Sequence, residues 1–562
     1  MVTRISTSGS HSASDSTSHP APAKAVPKRR STSSSKANNS LAQNVKKNVH
    51  RAVAGTLGIT GERMTKVDTA WLRMDCAANL MMIVGVWLLK PGVSHAAVVQ
   101  RIESTLLTYP RFRQRVMKDA AGATWVEDRY FDIANHVVRD ALPPAQPGDP
   151  LGQQAALQDR VAALACEPLH PKSPLWQIHL IEDYTGPDGE RGSAMVVRIH
   201  HCIADGIALI SVTMALVDGA AGSARPTRQQ QAKKPSAIDA FAEAPEDWIA
   251  DTLLKPLTHM TVKALGALGN GAVRSLGLMG EPKKGLQSGL EKGVATGVDM
   301  AKVLFQVMAD SAALALMPND SPTRLKGTPG GAKKVAWCQP IALDDVRAIG
   351  KALGCSINDV LLSCVAGALA AYLQSHGDDT EGQEIRAMVP VNLRPAVQPG
   401  QQQPLGNRFG LVPLVLPIGI ANPVQRVFEV RRRMAALKGS YQPLLAFSLL
   451  AVAGLLVKPA QDLMLNIFAK KTTAVMTNVP GPREKLKFCG STLDQTLFWV
   501  PQSGDVGLGV SILSYGGGVQ FGVITDSLLC PEPQHIVDAF MPEFERLTSL
   551  VLMLPWLEPV PR

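Results

Sequence analysis

The chain carries a paired histidine followed, after three residues, by Asp-Gly: Ile199-His200-His201-Cys202-Ile203-Ala204-Asp205-Gly206. An imidazole with an ordinary pKa of about 6.5 can take a proton from an alcohol, thiol or amine near neutral pH, and such a base contributes roughly 10² to 10⁴ in rate. Residues 194–199 ahead of the pair are apolar except for Arg198, the pattern of a buried strand. If the backbone stays extended through the pair, successive side chains point to opposite faces, so only one of His200 and His201 can serve as the base. Asp205-Gly206 reads as a tight turn, and residues 207–217 space their apolar side chains as a helix or a core segment would. Asp205 then has two possible tasks: bonding His201, or pairing elsewhere and holding the loop in shape.

Other chemistries have less support. His201 and Asp205 are four apart and could share a helical face, but no HExxH partner or Cys/His cluster supplies a third ligand nearby, so no metal is expected. No G-x-S-x-G nucleophile elbow occurs; Gly354-Cys355-Ser356-Ile357 has its serine in a different frame. Cys202 reads as a small apolar residue packed behind the loop.

Five further motifs stand in order along the chain: Pro174-Leu175-Trp176 upstream of the histidines, and after them Asn358-Asp359-Val360-Leu361 following Gly354; Val389-Pro390-Val391-Asn392-Leu393-Arg394; Gly406-Asn407-Arg408-Phe409-Gly410; and Thr477-Asn478-Val479-Pro480-Gly481-Pro482. Together with HHxxxDG, the signature of the CoA-dependent acyltransferase superfamily, they make the chain resemble the bacterial wax ester synthase/acyl-CoA:diacylglycerol acyltransferases from about residue 61 to 555. The resemblance implies an α/β fold of two similar chloramphenicol acetyltransferase-like lobes, with acyl and acceptor channels meeting His201 in the cleft between them. It implies transfer of a fatty acyl group from acyl-CoA to the hydroxyl of diacylglycerol or a long-chain alcohol. His201 would be the general base, His200, Asp205 and Gly206 its motif partners, and Asn358 with Pro174-Leu175-Trp176 the substrate side of the site. Thr477, Gln177 and Met82 depart from the residues usual in that family, where serine, an acid and histidine are common.

A thioester is already activated, so this reaction needs no covalent intermediate and no cofactor, acyl-CoA being a substrate. The enzyme must deprotonate the acceptor, align it and stabilise an oxyanion. Asn358 is a candidate oxyanion donor, although Ser356-Ile357-Asn358-Asp359 before an apolar run also looks like a helix N-cap. Arg394 could pair with Asp205 across the cleft or be a surface residue. A condensation-type or small-molecule acyltransferase is the competing enzyme, though a condensation domain would sit beside carrier-protein sequence. A lipid-coat protein that kept the fold and lost turnover is the non-catalytic alternative, and the intact His, Asp and Gly argue against it.

The 562 residues, 46 % of them hydrophobic, suffice for two to four domains or one large two-lobed unit. Of the net charge of +10, most lies in residues 1–51, where nine basic residues face a single acid, Asp15. That stretch is rich in Ser, Thr, Ala and Lys, so a disordered tail is expected, either drawn to anionic lipid headgroups or simply solvated. It lacks interleaved aromatics, which speaks against nucleic acid. Eight dispersed cysteines without C-x-x-C suggest reduced thiols in the cytoplasm. No secretory signal is present, and the apolar run 444–457 falls short of the about 20 residues needed to span a bilayer, which favours a buried or interfacial helix. Peripheral attachment to membranes or lipid inclusions would then follow from the substrates, and oligomeric state is not legible.

The expected organisation is a tail (1–51), an N-terminal lobe (52–218), linkers flanking a helical crossover (219–334) and a C-terminal lobe (335–562). In the last, 341–353 and 360–373 read as helices, 386–391 as extended, and 506–514 with 519–525 as a hairpin around Tyr515-Gly516-Gly517-Gly518.

Overall fold

The computed structural model describes residues 61–554 apart from 120–121, 146–150, 188, 220–316, 394–404, 439–445, 447–449, 451–452 and 454–457. Along the first part run β1 (Gly61–Arg63), α1 (Lys66–Arg73), β2 (Met82–Lys90), α2 (His95–Ser104), β3 (Gln114–Asp119), β4 (Gly122–Glu127), β5 (Val137–Asp140), α3 (Gln154–Cys166), β6 (Trp176–Thr185), β7 (Arg191–His200) and α4 (Gly206–Leu216). The second part has β8 (Lys333–Trp337), β9 (Ile341–Ala342), α5 (Leu343–Ala352), α6 (Ile357–Ser375), β10 (Ile385–Asn392), β11 (Phe409–Leu416), α7 (Pro423–Lys438) and α8 (Lys458–Ala469). It ends with β12 (Ala474–Pro480), β13 (Lys487–Phe488), β14 (Ser491–Trp499), β15 (Leu508–Tyr515), β16 (Gly518–Asp526) and α9 (Pro533–Leu552). The expected tail and nearly all of the expected crossover lie outside the described residues, as does most of 444–457, of which Ala446, Leu450 and Ala453 are helical.

The first large sheet has the order β13-β14-β2-β7-β6-β5. Met82 pairs with His200 and Ile83 with Ile199, so β2 and β7 run side by side up to the histidines. Alternation sends Met82, Val84, Val86 and Val196 to one face, where Leu157 and Val161 of α3 cover them. Ile83, Trp87, Met195, Val197 and Ile199 take the other face, toward α4. Burial on both faces explains why β7 reads as a nearly continuous apolar run.

The second large sheet has the order β11-β10-β12-β15-β16-β8, with β9 also on β16, and β12 parallel to both β10 and β15. Helix α6 is long and apolar enough to cross a membrane by length and composition, yet 78 % of that window is buried inside the protein, in the core shared with α9 and this sheet. Gly367 lets the buried Arg426–Glu543 pair lie directly against α6, where a Cβ would collide with both side chains.

Three features depart from the sequence reading. Ile341 and Ala342, expected to begin a helix, instead pair with Val519 and Gly518, and α5 starts at Leu343 with Asp344 and Asp345 in its first turn. Strands β13 and β14 belong by chain order to the C-terminal half but extend the first sheet, β14 lying antiparallel to β2. A bulge between Leu493 and Gln495 lets β14 supply Leu493 to one core and Leu497 with Trp499 to another. Lastly, Asp205-Gly206 is the start of α4.

Candidate active site

Strand β7 ends at His200 and the chain turns through residues 201–203 into α4. The His200 ring is used up locally. Its Nδ1 accepts the Cys202 N–H at 3.1 Å, which leaves Nε2 to carry the proton toward Asp75 Oδ2 at 3.2 Å. Asp75 also accepts the Met81 N–H at 2.6 Å, and the Met81 carbonyl accepts the His201 N–H at 2.7 Å. Burial works to raise the Asp75 carboxyl, but the hydrogen bond and charge of His200, with the Met81 amide, hold it below its ordinary value. Both ring nitrogens of His200 are thus engaged in bracing the turn.

His201 is 3 % exposed and lies in an aromatic slot. Trp71 stacks on it with centroids 4.2 Å apart and planes 18° from parallel, and the Phe409 ring lies 5.5 Å away. Burial pushes the imidazole down to about 3, its own backbone opposes this, His200 adds to it, and the Asn407 side chain opposes it. The ring is therefore neutral across the working pH range. Nδ1 is enclosed without a hydrogen-bond partner; Nε2 is not enclosed in this way.

Of the two tasks open to Asp205, the structure gives it the second. Oδ1 caps α4 through the Ala208 N–H at 3.0 Å, and Oδ2 accepts the Arg408 N–H at 2.9 Å. The Asp205 N–H meets the Gly406 carbonyl at 3.4 Å, and Gly406 sits at φ +119°, a conformation that favours glycine. Between these two contacts Asn407 Nδ2 donates to the His201 carbonyl at 2.8 Å and to Asp68 Oδ1 at 2.7 Å. Gly406-Asn407-Arg408, leading into the second sheet, thus staples the histidine turn of the first. Arg394 lies outside the described residues.

Asp68 and Trp71 stand three apart on α1, hence on one helical face. Thr65 caps that helix through the Asp68 N–H at 3.0 Å, and Gln461 of α8 donates to the Ala70 carbonyl at 3.1 Å. One short helix delivers both the carboxylate behind Asn407 and the ring over His201.

Two apolar cavities flank the turn. The first, a recess of about 1130 Å³ counting space open to solvent, lies between the first sheet and α4; Ile199, Gly206, Trp176, Leu209 and Phe498 are among its walls, and no charged residue among the described ones lines it. The second, about 1010 Å³, is walled by Trp71, Phe409, Met388, Leu411 and Leu450, with Lys471, Thr472 and Ser503 as its polar portion. His201 lines neither; the rings that hold it line the second.

The remaining expected residues divide. The Leu175 carbonyl accepts the His200 N–H at 2.9 Å, Pro174 is buried beside it, and Trp176 is fixed by its Nε1–H to the Phe112 carbonyl at 2.8 Å while facing the first cavity. Gly206 faces that cavity too, and a Cβ there would meet only Phe498, at 3.9 Å. Asn358 is the second residue of α6, half-buried, behind a capping box made by Ser356 and Asp359; no hydrogen bond joins it to the histidine turn. The amide that reaches the turn is Asn407. Cys202 is fully buried in the core, and all eight cysteines are free. Two of the departures from family pattern, Gln177 and Met82, both contact the buried Arg198 guanidinium, at 2.9 Å and 3.8 Å, while Thr477 bonds the Val510 carbonyl.

Sequence reasoning missed Asp68, Trp71 and Asp75, and quoted Asn407 and Phe409 without a role. The one available signal was the spacing of Val67, Ala70 and Trp71, which fits a helix opening at Thr65.

Comparison with known proteins follows the same lines. The description "Wax ester synthase/diacylglycerol acyltransferase catalytic domain" matches residues 64–361, and "WS/DGAT C-terminal domain" matches 405–548. A probable diacylglycerol O-acyltransferase of Mycobacterium tuberculosis is 25 % identical over 473 residues, covering 82 % of this chain and 90 % of that protein. Wax ester synthase/diacylglycerol acyltransferase 2 of Arabidopsis thaliana is 24 % identical over 489 residues, covering 81 % and 89 %. The solved wax ester synthase/diacylglycerol acyltransferase from Marinobacter aquaeolei VT8 shares the fold, with a TM-score of 0.57 at 20 % identity over 88 % of this chain and all of that one.

Proposed function

The chain belongs to the wax ester synthase/diacylglycerol acyltransferase family, and from that premise we propose that His201 is the general base moving a fatty acyl group from acyl-CoA to diacylglycerol or a long-chain alcohol. The observation that carries the reading is a neutral imidazole in a turn flanked by two apolar cavities. The acceptor hydroxyl gives its proton to His201 Nε2 as its oxygen attacks the thioester carbonyl. The tetrahedral adduct collapses with cleavage of the C–S bond, and the imidazolium returns the proton to the CoA thiolate. No resident cofactor takes part.

The first cavity, lined without charge, suits the acyl chain. The second, with Lys471, Thr472 and Ser503 along its wall, suits an acceptor with a polar end. Substrates of this kind reside in membranes or oil inclusions, so a cytoplasmic protein held peripherally at such surfaces fits the reading. The basic residues of 1–51 would add attraction to anionic lipid at about 1 kcal/mol for each one close to the surface.

The test is purified protein with labelled oleoyl-CoA and, in separate tubes, diacylglycerol and hexadecanol. Labelled ester in either tube is expected, and the ratio ranks the acceptors. CoA release only with an amine or polyketide alcohol would point to a condensation-type enzyme, and no turnover with any acceptor to a lipid-coat protein.

A further inference from the structure

Two enclosed atoms in the histidine turn make no well-formed hydrogen bond, and they are complementary, although the His201 carbonyl is a second acceptor close to the ring. His201 Nδ1 can donate a hydrogen bond; Asn407 Oδ1 can only accept one. Their residues are already joined, Asn407 Nδ2 donating to the His201 carbonyl at 2.8 Å. The amide cannot be reversed, because its nitrogen faces two oxygens, that carbonyl and Asp68 Oδ1 at 2.7 Å. Asn407 is 6 % exposed and Asp68 3 %, so water does not compete freely for either.

We propose that Asn407 is the positioning residue of the base: its Oδ1 accepts the Nδ1–H of His201, keeps that proton on Nδ1, and so leaves Nε2 to receive the substrate proton. Asp68, three residues before the Trp71 that covers the ring, holds the amide in this orientation. The inference rests on the reading of His201 as the general base.

The site needs such a group for a physical reason. A base must have one defined tautomer, and the imidazolium formed as the proton arrives must be stabilised from the far side of the ring. Asp205 does neither, since its carboxylate is committed to the Ala208 and Arg408 amides. An amide oxygen supplies a fixed partial charge without placing a second full charge beside the ring, which keeps the imidazole neutral until reaction. Among the described residues, the ionisable groups around the turn are Asp68 from α1, Asp75 from the segment after it, Asp205 at the start of α4, Arg408 ahead of β11, and His200 and Cys202 on either side, with Arg111 and Lys118 acting on the turn as charges.

The experiment uses the full chain labelled with ¹⁵N-histidine, the His201 signal being identified by its loss in His201→Gln. The ring should be the Nδ1–H tautomer in the unmutated protein, and Asn407→Leu should mix the tautomers. In the oleoyl-CoA assay Asn407→Leu should lower kcat about a hundredfold with KM changed less than about threefold. The exchange Asp68→Asn with Asn407→Asp restores an acceptor, now charged, and should recover part of kcat while moving the acid limb of the pH profile upward. An Nε2–H tautomer in the unmutated protein overturns the proposal, as does Asn407→Leu with unchanged kcat, or a loss matched by its loss of folded protein with the tautomer intact. If Asn407→Leu does not fold, the tautomer of the unmutated chain decides. That spectrum needs no substrate, so a wrong tautomer and a failure of acyl transfer are separate results.

Discussion

The Trp71 indole lies flat on the His201 imidazole, 4.2 Å between centroids, and the same indole is a wall of the second cavity. One residue therefore covers a face of the imidazole and walls the space in which the acceptor is proposed to lie. Stacking of this kind contributes about 0.5–1.5 kcal/mol beyond area burial. Its larger effect is to keep water from the ring. Trp71→Ala should let water take the place of the acceptor, so that hydrolysis of oleoyl-CoA without acceptor rises relative to ester formation. Trp71→Phe, which keeps a ring over His201, should preserve the ratio. Measuring free fatty acid against ester in both variants checks this; equal ratios would show that Trp71 does not exclude water.

His201 makes the fold acid-sensitive, and the sign follows from its depressed pKa. In the folded chain the ring stays neutral down to about 3, whereas the unfolded ring protonates near its ordinary value of about 6.5. Between those values unfolding takes up a proton, so stability is intact above about pH 6.5 and declines as pH falls below it. By pH 5 the loss amounts to about 2 kcal/mol. His201→Gln removes this dependence, and the gap between the two proteins in urea unfolding should narrow by that amount between pH 7.5 and pH 5. The same variant should lose at least about 10² in kcat with its fold retained. A constant gap would mean that the folded ring titrates normally.

How much of this was legible beforehand depends on how far apart the partners lie. Strand β7, helix α6 and the β15–β16 hairpin follow from local periodicity, and the histidine pair announces itself by type and spacing. Register added that His200 and His201 would face different neighbours; the strand ends at His200, and the two rings meet Asp75 and Trp71 respectively. Asp68 and Asn407, by contrast, are 339 positions apart, and no local pattern in either segment says that they meet. β14 is the same case: a strand apolar on both faces needs neighbours on both sides, but its own sequence does not name β2 as the edge it joins. Asn358 is a motif residue for which the sequence left two readings open, and of these the structure shows the helix start, with Ser356 and Asp359 forming the capping box.

Gly206 sets a size limit on the first cavity. A Cβ there fits, but a longer side chain projects toward Phe498 into the space assigned to the acyl chain. Because its backbone does not require glycine, Gly206→Val should fold normally. It should shift preference from long acyl-CoA toward shorter chains, with kcat/KM for oleoyl-CoA falling about tenfold or more and that for octanoyl-CoA changing little. The comparison across chain lengths is the measurement. A uniform fall for both would indicate a disturbed turn, and a fall for the acceptor alone would assign this cavity to the other substrate.

Asp205 and His201 lie in one motif, yet the structure separates their effects. Asp205→Ala removes an N-cap, at about 1 kcal/mol, and the bond that ties the turn to Arg408, leaving that N–H without its partner. Together these should destabilise the protein by roughly 2–4 kcal/mol. Since the carboxylate does not touch the imidazole, the remaining activity should follow an unchanged pH profile even where kcat is lower. Asp205→Asn should recover most of the stability, because its amide oxygen can still accept one of the two N–H groups. A pH profile displaced in Asp205→Asn at normal stability would instead place the carboxylate in the proton transfer itself, and would shift the positioning role from Asn407 to Asp205.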